Sequence, residues 1–238
     1  MNRVVAWITL RGVLGRRRAL LLVLLPATLV VLAIVLRATG HADPQSAASL
    51  LQRYGIGTLM PLVALIATTG VLGTEIDDGS IVFLLSKPIS RPVIVQTKLV
   101  VAVGLTALFS AVPVLIAGLV MAGTADGLAI AFALGALAGS IAYGSILALV
   151  NVLTRHAVVT GLIYALIWES LIGSFVPGAR ELSVQQWALS VADWLTTSEA
   201  VHADVALMAA LGLLAAVTVG ATVLAGQRLR SLAISGDA

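Results

Sequence analysis

The chain has 238 residues, of which 60% are apolar and 11% are charged. A soluble domain is typically about half apolar and about a quarter charged, so this composition excludes an ordinary soluble protein. The net charge is +3, but the basic residues lie at the ends of apolar runs, where they orient membrane proteins, which argues against a nucleic-acid partner. The sequence has no cysteine, which excludes disulfides and thiolate metal sites.

Six apolar runs are long enough to cross a bilayer as helices, which takes about 20 residues. Helices satisfy their own backbone hydrogen bonds in lipid, and the runs lack the alternation of a membrane β-barrel. The first run is longer than a signal-peptide core and five more follow it, so we interpret it as a retained span. The sequence therefore predicts an all-α membrane protein, with spans at about Ala19–Leu36, Ile56–Gly73, Leu99–Ala122, Leu128–Val150, Ala157–Val176 and Val205–Gly226.

The lysines and arginines are distributed unevenly between the two sides of these spans. With the N-terminus inside, eleven of the 14 fall in cytoplasmic segments, and the outer loops hold only Arg37, Arg53 and Arg180. This bias predicts a multi-pass membrane protein with both termini in the cytoplasm.

Two segments outside the spans have helical patterns. Residues 1–18 could form an interfacial helix with Trp7 towards lipid, together with Val4 and Ile8, although Arg11 falls on the same face. In the outer segment, residues 177–204, Ser183 and Gln186 fit a capping box. Apolar residues then recur at helical spacing at Trp187, Val191, Trp194 and Leu195. We expect a short helix on the outer surface, with its tryptophans at the headgroup level.

The cytoplasmic segment between spans two and three, residues 75–98, has the most distinctive pattern. An acidic turn is followed by a short apolar helix, a proline break, and a new helix start that Ser90 can cap, with Pro92 in the first turn. An apolar patch in such a loop indicates a binding surface for a partner. This patch consists of Ile81, Phe83, Leu84 and Leu85.

This segment resembles the cytoplasmic loop of ABC-2 type permeases, the membrane subunits of one class of ATP-binding-cassette transporter. The matching positions are Glu75, Gly79-Ser80, Leu84-Leu85, Pro88-Ile89-Ser90-Arg91 and Thr97-Lys98. Val82-Phe83 depart from the polar residues that the family often has there. The resemblance implies a single transmembrane domain over residues 1–238 and a coupling helix that docks into a separate ATPase. The implied coupling residues are Glu75, Asp77, Asp78, Gly79, Ser80, Phe83, Leu84, Leu85, Pro88 and Arg91.

The chain has no Gly-x-x-x-x-Gly-Lys-Ser/Thr phosphate loop, so we expect no catalytic site and no cofactor in it. The resemblance implies two ATPase subunits, which would bind ATP and magnesium, and a second permease subunit that is either identical or different. It also implies export of a hydrophobic or amphipathic substrate through a path between the two permeases. By family analogy spans two and five line this path, with candidate residues Thr58, Thr68, Thr69 and Tyr164.

Glu169 is the one charge inside a predicted span, and two interpretations of it stay open. An acid within the membrane is a candidate gate or pathway residue, but Glu169 could also pair with Arg180 or with an outer backbone amide. The alternative function is a gradient-driven secondary transporter or channel that uses Glu169, although such proteins usually carry more embedded charge. A membrane enzyme acting on lipids lacks a credible set of catalytic groups.

Two further patterns have simple structural interpretations. Asp77-Asp78 lack the additional acids of a magnesium site, and the histidines form no zinc motif, so we expect no metal site. Small residues recur every four positions in span four, at Gly135 and Gly139, and in span six, at Gly212, Ala216 and Gly220. Such spacing lets helices approach closely, and we expect this packing within one subunit.

Overall fold

Every regular element of the part of the chain that the computed structural model describes is helical. The structure describes residues 3–14, 17–73, 91–154, 156–165, 167, 169 and 179–234. The α-helices are α1 (Arg3–Leu14), α2 (Arg17–Ala38), α3 (Pro44–Leu50), α4 (Met60–Thr68), α5 (Arg91–Ala122), α6 (Leu128–Leu153), α7 (Ala157–Ile163), α8 (Val184–Leu195) and α9 (Leu207–Ile234). Wider π-helical turns, Leu51–Leu59 and Thr69–Gly73, flank α4, and short 3-10 turns occupy Ala125–Gly127 and Ala179–Leu182.

Five helical stretches are long and apolar enough to cross a membrane, and they confirm five of the six predicted spans. They are Ala19–Ala38, Pro44–Val71, Gln96–Ala122, Ala125–Leu153 and Leu207–Arg228. The remaining predicted span, Ala157–Val176, begins with α7 and continues partly outside the described residues.

The second span begins at Pro44, not at Ile56 as the sequence predicted. Asp43 caps its first turn by accepting hydrogen bonds from the Ser46 amide (2.8 Å) and hydroxyl (2.7 Å). The hydrogen bond from the Ser46 hydroxyl is the largest of the interactions that lower the pKa of Asp43 below its usual value. Arg53 can lie within this helix because its side chain is exposed, so its charge is not buried among the other helices. A search for uncharged runs stops at this arginine, which is why the prediction was too short.

Spans two and four form the inside of the bundle, and spans one and six lie at its edge. The buried share is 67% in span two and 61% in span four, but 22% in span one and 17% in the Leu207–Arg228 span. Helix α6 packs against α4, α5, α8 and α9 and contributes Phe132 and Tyr143 to the core. The apolar side chains exposed on α2 and α9 are ordinary for helices that face lipid.

One end of the bundle is tied together by hydrogen bonds between loops. Asp126 adopts a left-handed backbone conformation in the tight α5–α6 connection (φ 53°). Its carbonyl oxygen accepts from the Thr196 hydroxyl (2.9 Å) and the Thr197 amide (3.2 Å). The Arg37 guanidinium donates to the carbonyl of Val120 in the last turn of α5. We call this end the outer end, following the orientation that the charge distribution predicts.

Helix α8 confirms the predicted short helix, but its predicted position flat on the surface is wrong. It runs antiparallel to α6, with Leu195 beside Gly127 and Ala188 beside Gly139. Gly139 follows the first residue of α6, Leu128, by eleven positions, or about 17 Å of helical rise. Helix α8 therefore reaches about halfway into a hydrocarbon layer that is about 30 Å thick. It re-enters the bundle and does not lie on the membrane.

Because α8 enters the bundle, its two tryptophans have different surroundings. Trp194, near the outer end, is 68% exposed, whereas Trp187 is 3% exposed. The indole N–H of Trp187 donates to the Glu181 carbonyl at 2.7 Å. Only Trp194 is therefore exposed as the headgroup prediction requires. Periodicity places both residues on a helix but does not show which parts of that helix are buried.

Small residues in span four provide the groove for α8, as predicted for packing within one subunit. A Cβ added to Gly135 would lie 2.4 Å from the Ala188 carbonyl oxygen, so only glycine permits this approach. In span six the same spacing brings no close contact with the described residues, since none of their atoms lies within 4 Å of a Cβ at Gly212 or Gly220.

The N-terminal segment forms a helix, α1, as predicted. Trp7 is exposed, and the Arg11 guanidinium carbon lies 4.5 Å from its ring centroid. This cation–π contact explains why an arginine shares the face of the tryptophan. Val4 and Ile8 belong to the same helix, but their side chains are not among those that the structure describes.

We expect Gly135→Ala to lower the stability of the protein by about 1–3 kcal/mol, the usual cost of overpacking a well-packed contact. The added methyl group would push α8 away from α6, because it meets backbone and not a flexible side chain. The measurement is thermal unfolding in mild detergent, followed by tryptophan fluorescence. Gly212→Ala is the matched control and should leave the midpoint unchanged or slightly higher. Equal midpoints for the two variants would contradict the groove.

Candidate functional site

Glu169 lies where the chain of the predicted fifth span meets the buried end of α8. Its side chain is 5% exposed. One carboxylate oxygen accepts from the Val184 amide (3.2 Å) and the Tyr164 hydroxyl (3.3 Å), and the other accepts a short bond from the Ser183 hydroxyl. The sequence left two structural partners of Glu169 open, Arg180 and an outer backbone amide. The structure shows the backbone amide. Arg180 instead forms an exposed ion pair with Asp204 (3.2 Å).

These contacts make Glu169 the cap of α8. The first amides of a helix have no partner within the helix, and its N-terminus carries a partial positive charge that favours an anion. Ser183 is at the N-cap position, but its hydroxyl makes no capping bond to the backbone of α8. The predicted capping box is therefore wrong: Ser183 bonds Glu169, and the buried Gln186 Oε1 atom has no hydrogen-bond partner among the described residues. An acid fourteen positions away in sequence, 169 against 183, supplies the cap.

Two tyrosines surround this carboxylate. The rings of Tyr143, on α6, and Tyr164 meet edge to face with centroids 6.3 Å apart. Tyr143 is completely buried and close enough to Glu169 to interact with it electrostatically. Its hydroxyl is within reach of the side chains of Glu169 and Gln185, although it makes no hydrogen bond of normal geometry to a described residue. The carboxylate therefore lies in a cluster of polar side chains that includes Tyr143 of α6.

Span two reaches the same site through the backbone of its π-helical turn. The side-chain amide of Gln185, the second residue of α8, donates to the Gly57 carbonyl at 3.0 Å. In an α-helix that carbonyl would accept from the amide of residue 61, but residue 61 is a proline and has no N–H to donate, so the carbonyl is left for Gln185. The N-terminus of α8 therefore has bonds to span two and to Glu169 at once.

Sequence reasoning identified Glu169 and Tyr164 but missed Tyr143, Gln185 and Gly57. A lone tyrosine inside an apolar run has no sequence signal of its own. Gln185 lies between the two residues of the predicted capping box, but nothing in the sequence marks it as a link to span two. Their partners lie far apart in sequence, so only the packing of the helices brings them together.

The three threonines proposed for the pathway have different positions in span two. Thr58 is exposed at the surface of the subunit, and its hydroxyl donates to the Arg53 carbonyl at 3.2 Å. Thr68 is completely buried and accepts from the Asn151 amide at 3.4 Å. Thr69 is 8% exposed and donates to Leu65 at 2.7 Å. Of the three, Thr58 is the one at the surface of this subunit.

The predicted coupling residues fall almost entirely outside the described residues. Arg91 is the first residue of α5, so the predicted helix start with Pro92 in its first turn is confirmed. The other nine lie outside the described part of the chain: Glu75, Asp77, Asp78, Gly79, Ser80, Phe83, Leu84, Leu85 and Pro88.

The chemistry available at this site is hydrogen bonding and charge stabilisation. Within the described residues, no three His, Asp or Glu side chains are placed to share a metal ion. The Glu169 carboxylate accepts three hydrogen bonds, and a helix N-terminus faces it. This arrangement stabilises a fixed carboxylate and a fixed helix end.

Comparison with known families identifies the chain. The family model for ABC-2 family transporter proteins matches residues 14–177, well over half of the 238 residues. The chain belongs to this family. No curated protein matches it. As an ABC-2 family member it is a membrane-embedded permease of an ABC transporter, and the family associates with ABC ATPases. The matched region includes Glu169 and ends before α8.

We expect Glu169→Ala to destabilise the permease by roughly 2–6 kcal/mol, because it leaves the buried Ser183 hydroxyl and Val184 amide without their acceptor, at about 1–3 kcal/mol each. Glu169→Gln should cost less, since its carbonyl oxygen can still accept from Val184. Hydrogen–deuterium exchange of the first-turn amides of α8 measures the effect. Glu199→Ala, which removes an exposed outer acid, is the control. Unchanged protection of these amides in Glu169→Ala would show that Glu169 is not the cap.

Proposed function

We propose that this chain is the permease subunit of an ATP-driven exporter in the cytoplasmic membrane, with six spans and both termini in the cytoplasm. The family match over residues 14–177 carries the proposal. The charge bias of the loops and the five apolar helices support the orientation and the membrane location. In this proposal two permease subunits, identical or different, assemble with two ATPases that bind ATP and magnesium and carry out the hydrolysis.

The mechanism begins at the cytoplasmic segment 75–91, which docks on the ATPase. Helix α5 begins directly after it, at Arg91, and runs for 32 residues, or about 48 Å, to Ala122 at the outer end. A movement of the docked loop would therefore be carried along one continuous helix. Helix α5 has its largest contact with α6, which in turn holds α8. ATP-driven closure of the ATPases would move these helices and open a path between two permeases.

The substrate proposed for this path is hydrophobic or amphipathic, because the helices that would border it are mostly apolar. Thr58 on span two and Tyr164 beside Glu169 are the candidate polar contacts at the surface or near it. Thr68 and Thr69 lie inside the subunit and would reach the path only after the helices had moved. Export, and not import, is inferred from the resemblance to ABC-2 exporters.

Copurification tests the proposal. Tagged permease, expressed in its native host and purified in mild detergent, should bring down a stoichiometric subunit with a phosphate-binding loop. The double variant Phe83→Asp with Leu84→Asp should lose this subunit, because it places charge in the apolar patch that would dock. The double variant Trp194→Asp with Leu195→Asp is the matched control, since it places the same charge on two exposed side chains at the outer end.

Two results would contradict the proposal. A stable native complex without any ATPase would remove the ATP-driven mechanism. An ATPase retained by Phe83→Asp with Leu84→Asp would place the dock elsewhere in the chain.

A further inference from the structure

A pocket at the outer end of the bundle lies between the ends of spans one to four. Its volume is about 550 Å³, and its lining includes the exposed charged residues Arg37 and Asp126 and the buried apolar residues Met121 and Leu128. Sites for small ligands usually measure about 300–1,000 Å³ and combine an apolar lining with a few polar groups. We call this cavity the outer pocket. Its size and lining are those of a binding site.

Arg37 is the cation of the outer pocket. It lies in the last turn of α2, and its guanidinium donates to the Val120 carbonyl, which holds the group over the end of α5. In the described part of the chain it makes no other hydrogen bond and no ion pair. A guanidinium has five N–H donors, so most of the donors of Arg37 are available to an anion.

Asp126 is the anion of the outer pocket. Its carbonyl oxygen accepts from Thr196 and Thr197, whereas its carboxylate bonds no described residue. Arg37 and Asp126 line the same pocket but form no ion pair with each other. The outer pocket therefore offers separate partners for a negative and a positive group of one ligand.

The depth of the outer pocket favours a lipid as this ligand. Span one, Ala19–Ala38, has 20 residues and is about 30 Å long, which equals the thickness of the hydrocarbon layer. Arg37 therefore lies at the level where the hydrocarbon meets the lipid phosphates. Exposed apolar side chains lie one turn or less before the pocket, at Ile34 and Val35 of α2 and Leu119 of α5. Acyl chains can pack on these side chains, whereas a soluble ligand would leave them uncovered.

We propose that the outer pocket binds one phospholipid with a primary-amine headgroup, such as phosphatidylethanolamine, with its phosphate at Arg37 and its ammonium at Asp126. The planar donor fork of arginine suits phosphate oxygens. An ammonium group donates charge-assisted hydrogen bonds to a carboxylate. A choline headgroup has no N–H to donate, and a glycerol headgroup has no positive charge. The carboxylate of Asp126 therefore makes the site selective for the amine.

The bound lipid would join span one to the α5–α6 connection. Arg37 belongs to α2, and Asp126 belongs to the turn whose carbonyl also holds the end of α8 through Thr196 and Thr197. A ligand in contact with both charges would stabilise the outer end of the bundle. This inference does not depend on the ATP-driven function, because it concerns the permease whether or not an ATPase binds it.

Native mass spectrometry tests the selectivity of the site. The full chain, purified in mild detergent with any subunits that copurify, is titrated with phosphatidylethanolamine, phosphatidylcholine and phosphatidylglycerol of identical acyl chains. The dissociation constant of the first bound lipid is measured for each. We expect the ethanolamine lipid to bind about threefold to tenfold more tightly than the other two, because it alone makes a charge-assisted bond to a partly solvated carboxylate.

Asp126→Asn removes the charge and preserves the turn, because asparagine also tolerates the left-handed backbone that Asp126 has (φ 53°). We expect the affinity for the ethanolamine lipid to fall to within about twofold of that for the choline lipid, with the choline lipid unaffected. A purely structural role of Asp126 would weaken both lipids equally. Glu199→Gln, which neutralises an exposed outer acid that does not line the pocket, is the matched control and should keep the preference.

Arg37→Gln should weaken all three lipids by about fivefold, because each of them has the phosphate that Arg37 would bind. Arg37→Lys keeps the positive charge and should restore most of the affinity. Arg53→Gln is the matched control, since Arg53 is another exposed outer arginine but does not line the pocket, and it should change no lipid affinity.

Three results would overturn the inference. Equal dissociation constants for the ethanolamine and choline lipids in the unaltered protein would remove the recognition of the amine. An equal loss of affinity for both lipids in Asp126→Asn would make Asp126 a structural residue of the turn. Displacement of the ethanolamine lipid by an equal concentration of glycerophosphoethanolamine, its soluble headgroup, would assign the pocket to a soluble zwitterion and not to a lipid.

Discussion

A helix end buried in a membrane must find partners for its free amides within the protein, and this requirement organises the outer half of the permease. In lipid no water replaces the missing hydrogen bonds, and an unsatisfied group costs several kcal/mol. Helix α8 reaches that depth, so its N-terminus depends on Glu169 for its cap and charge compensation. The acid itself is acceptable at that depth because it has three donors and the positive end of a helix dipole. The Glu169 carboxylate and the N-terminus of α8 therefore each make the burial of the other possible.

Packing along α6 decides how deep α8 can go. Glycines at 135 and 139 let the backbone of α8 approach α6 more closely than any side chain would permit. A second close approach of this kind lies between α5 and α6, where a Cβ on Gly118 of α5 would lie 2.7 Å from Ala129 of α6. In a bilayer the hydrophobic effect does not favour helix association, so close van der Waals contact is the main attraction available. The inner helices are therefore those with small residues facing each other, and α2 and α9 remain at the edge.

The polar cluster is connected to the start of α5 through packed helices. Helix α5 begins at the end of the coupling segment and continues to the outer loop, and α6 lies between α5 and α8. In the proposed function, an ATP-dependent force on the segment before α5 would reach the place where Glu169 holds α8 through these helices. The described contacts make this route one of packed helices, which suits the proposed conversion of a cytoplasmic event into an opening on the other side.

The sequence by itself determined the membrane class, five of the spans, the ABC-2 resemblance and the existence of α8, because each depends on composition or on local periodicity. It also singled out Glu169, since a charge in an apolar run stands out. The tertiary structure alone decided that α8 enters the bundle, that Glu169 and not the Ser183 capping box satisfies it, and that Tyr143 is next to them. These facts depend on contacts between residues far apart in the chain, and a periodic pattern gives the face of a helix but not its depth or its partners.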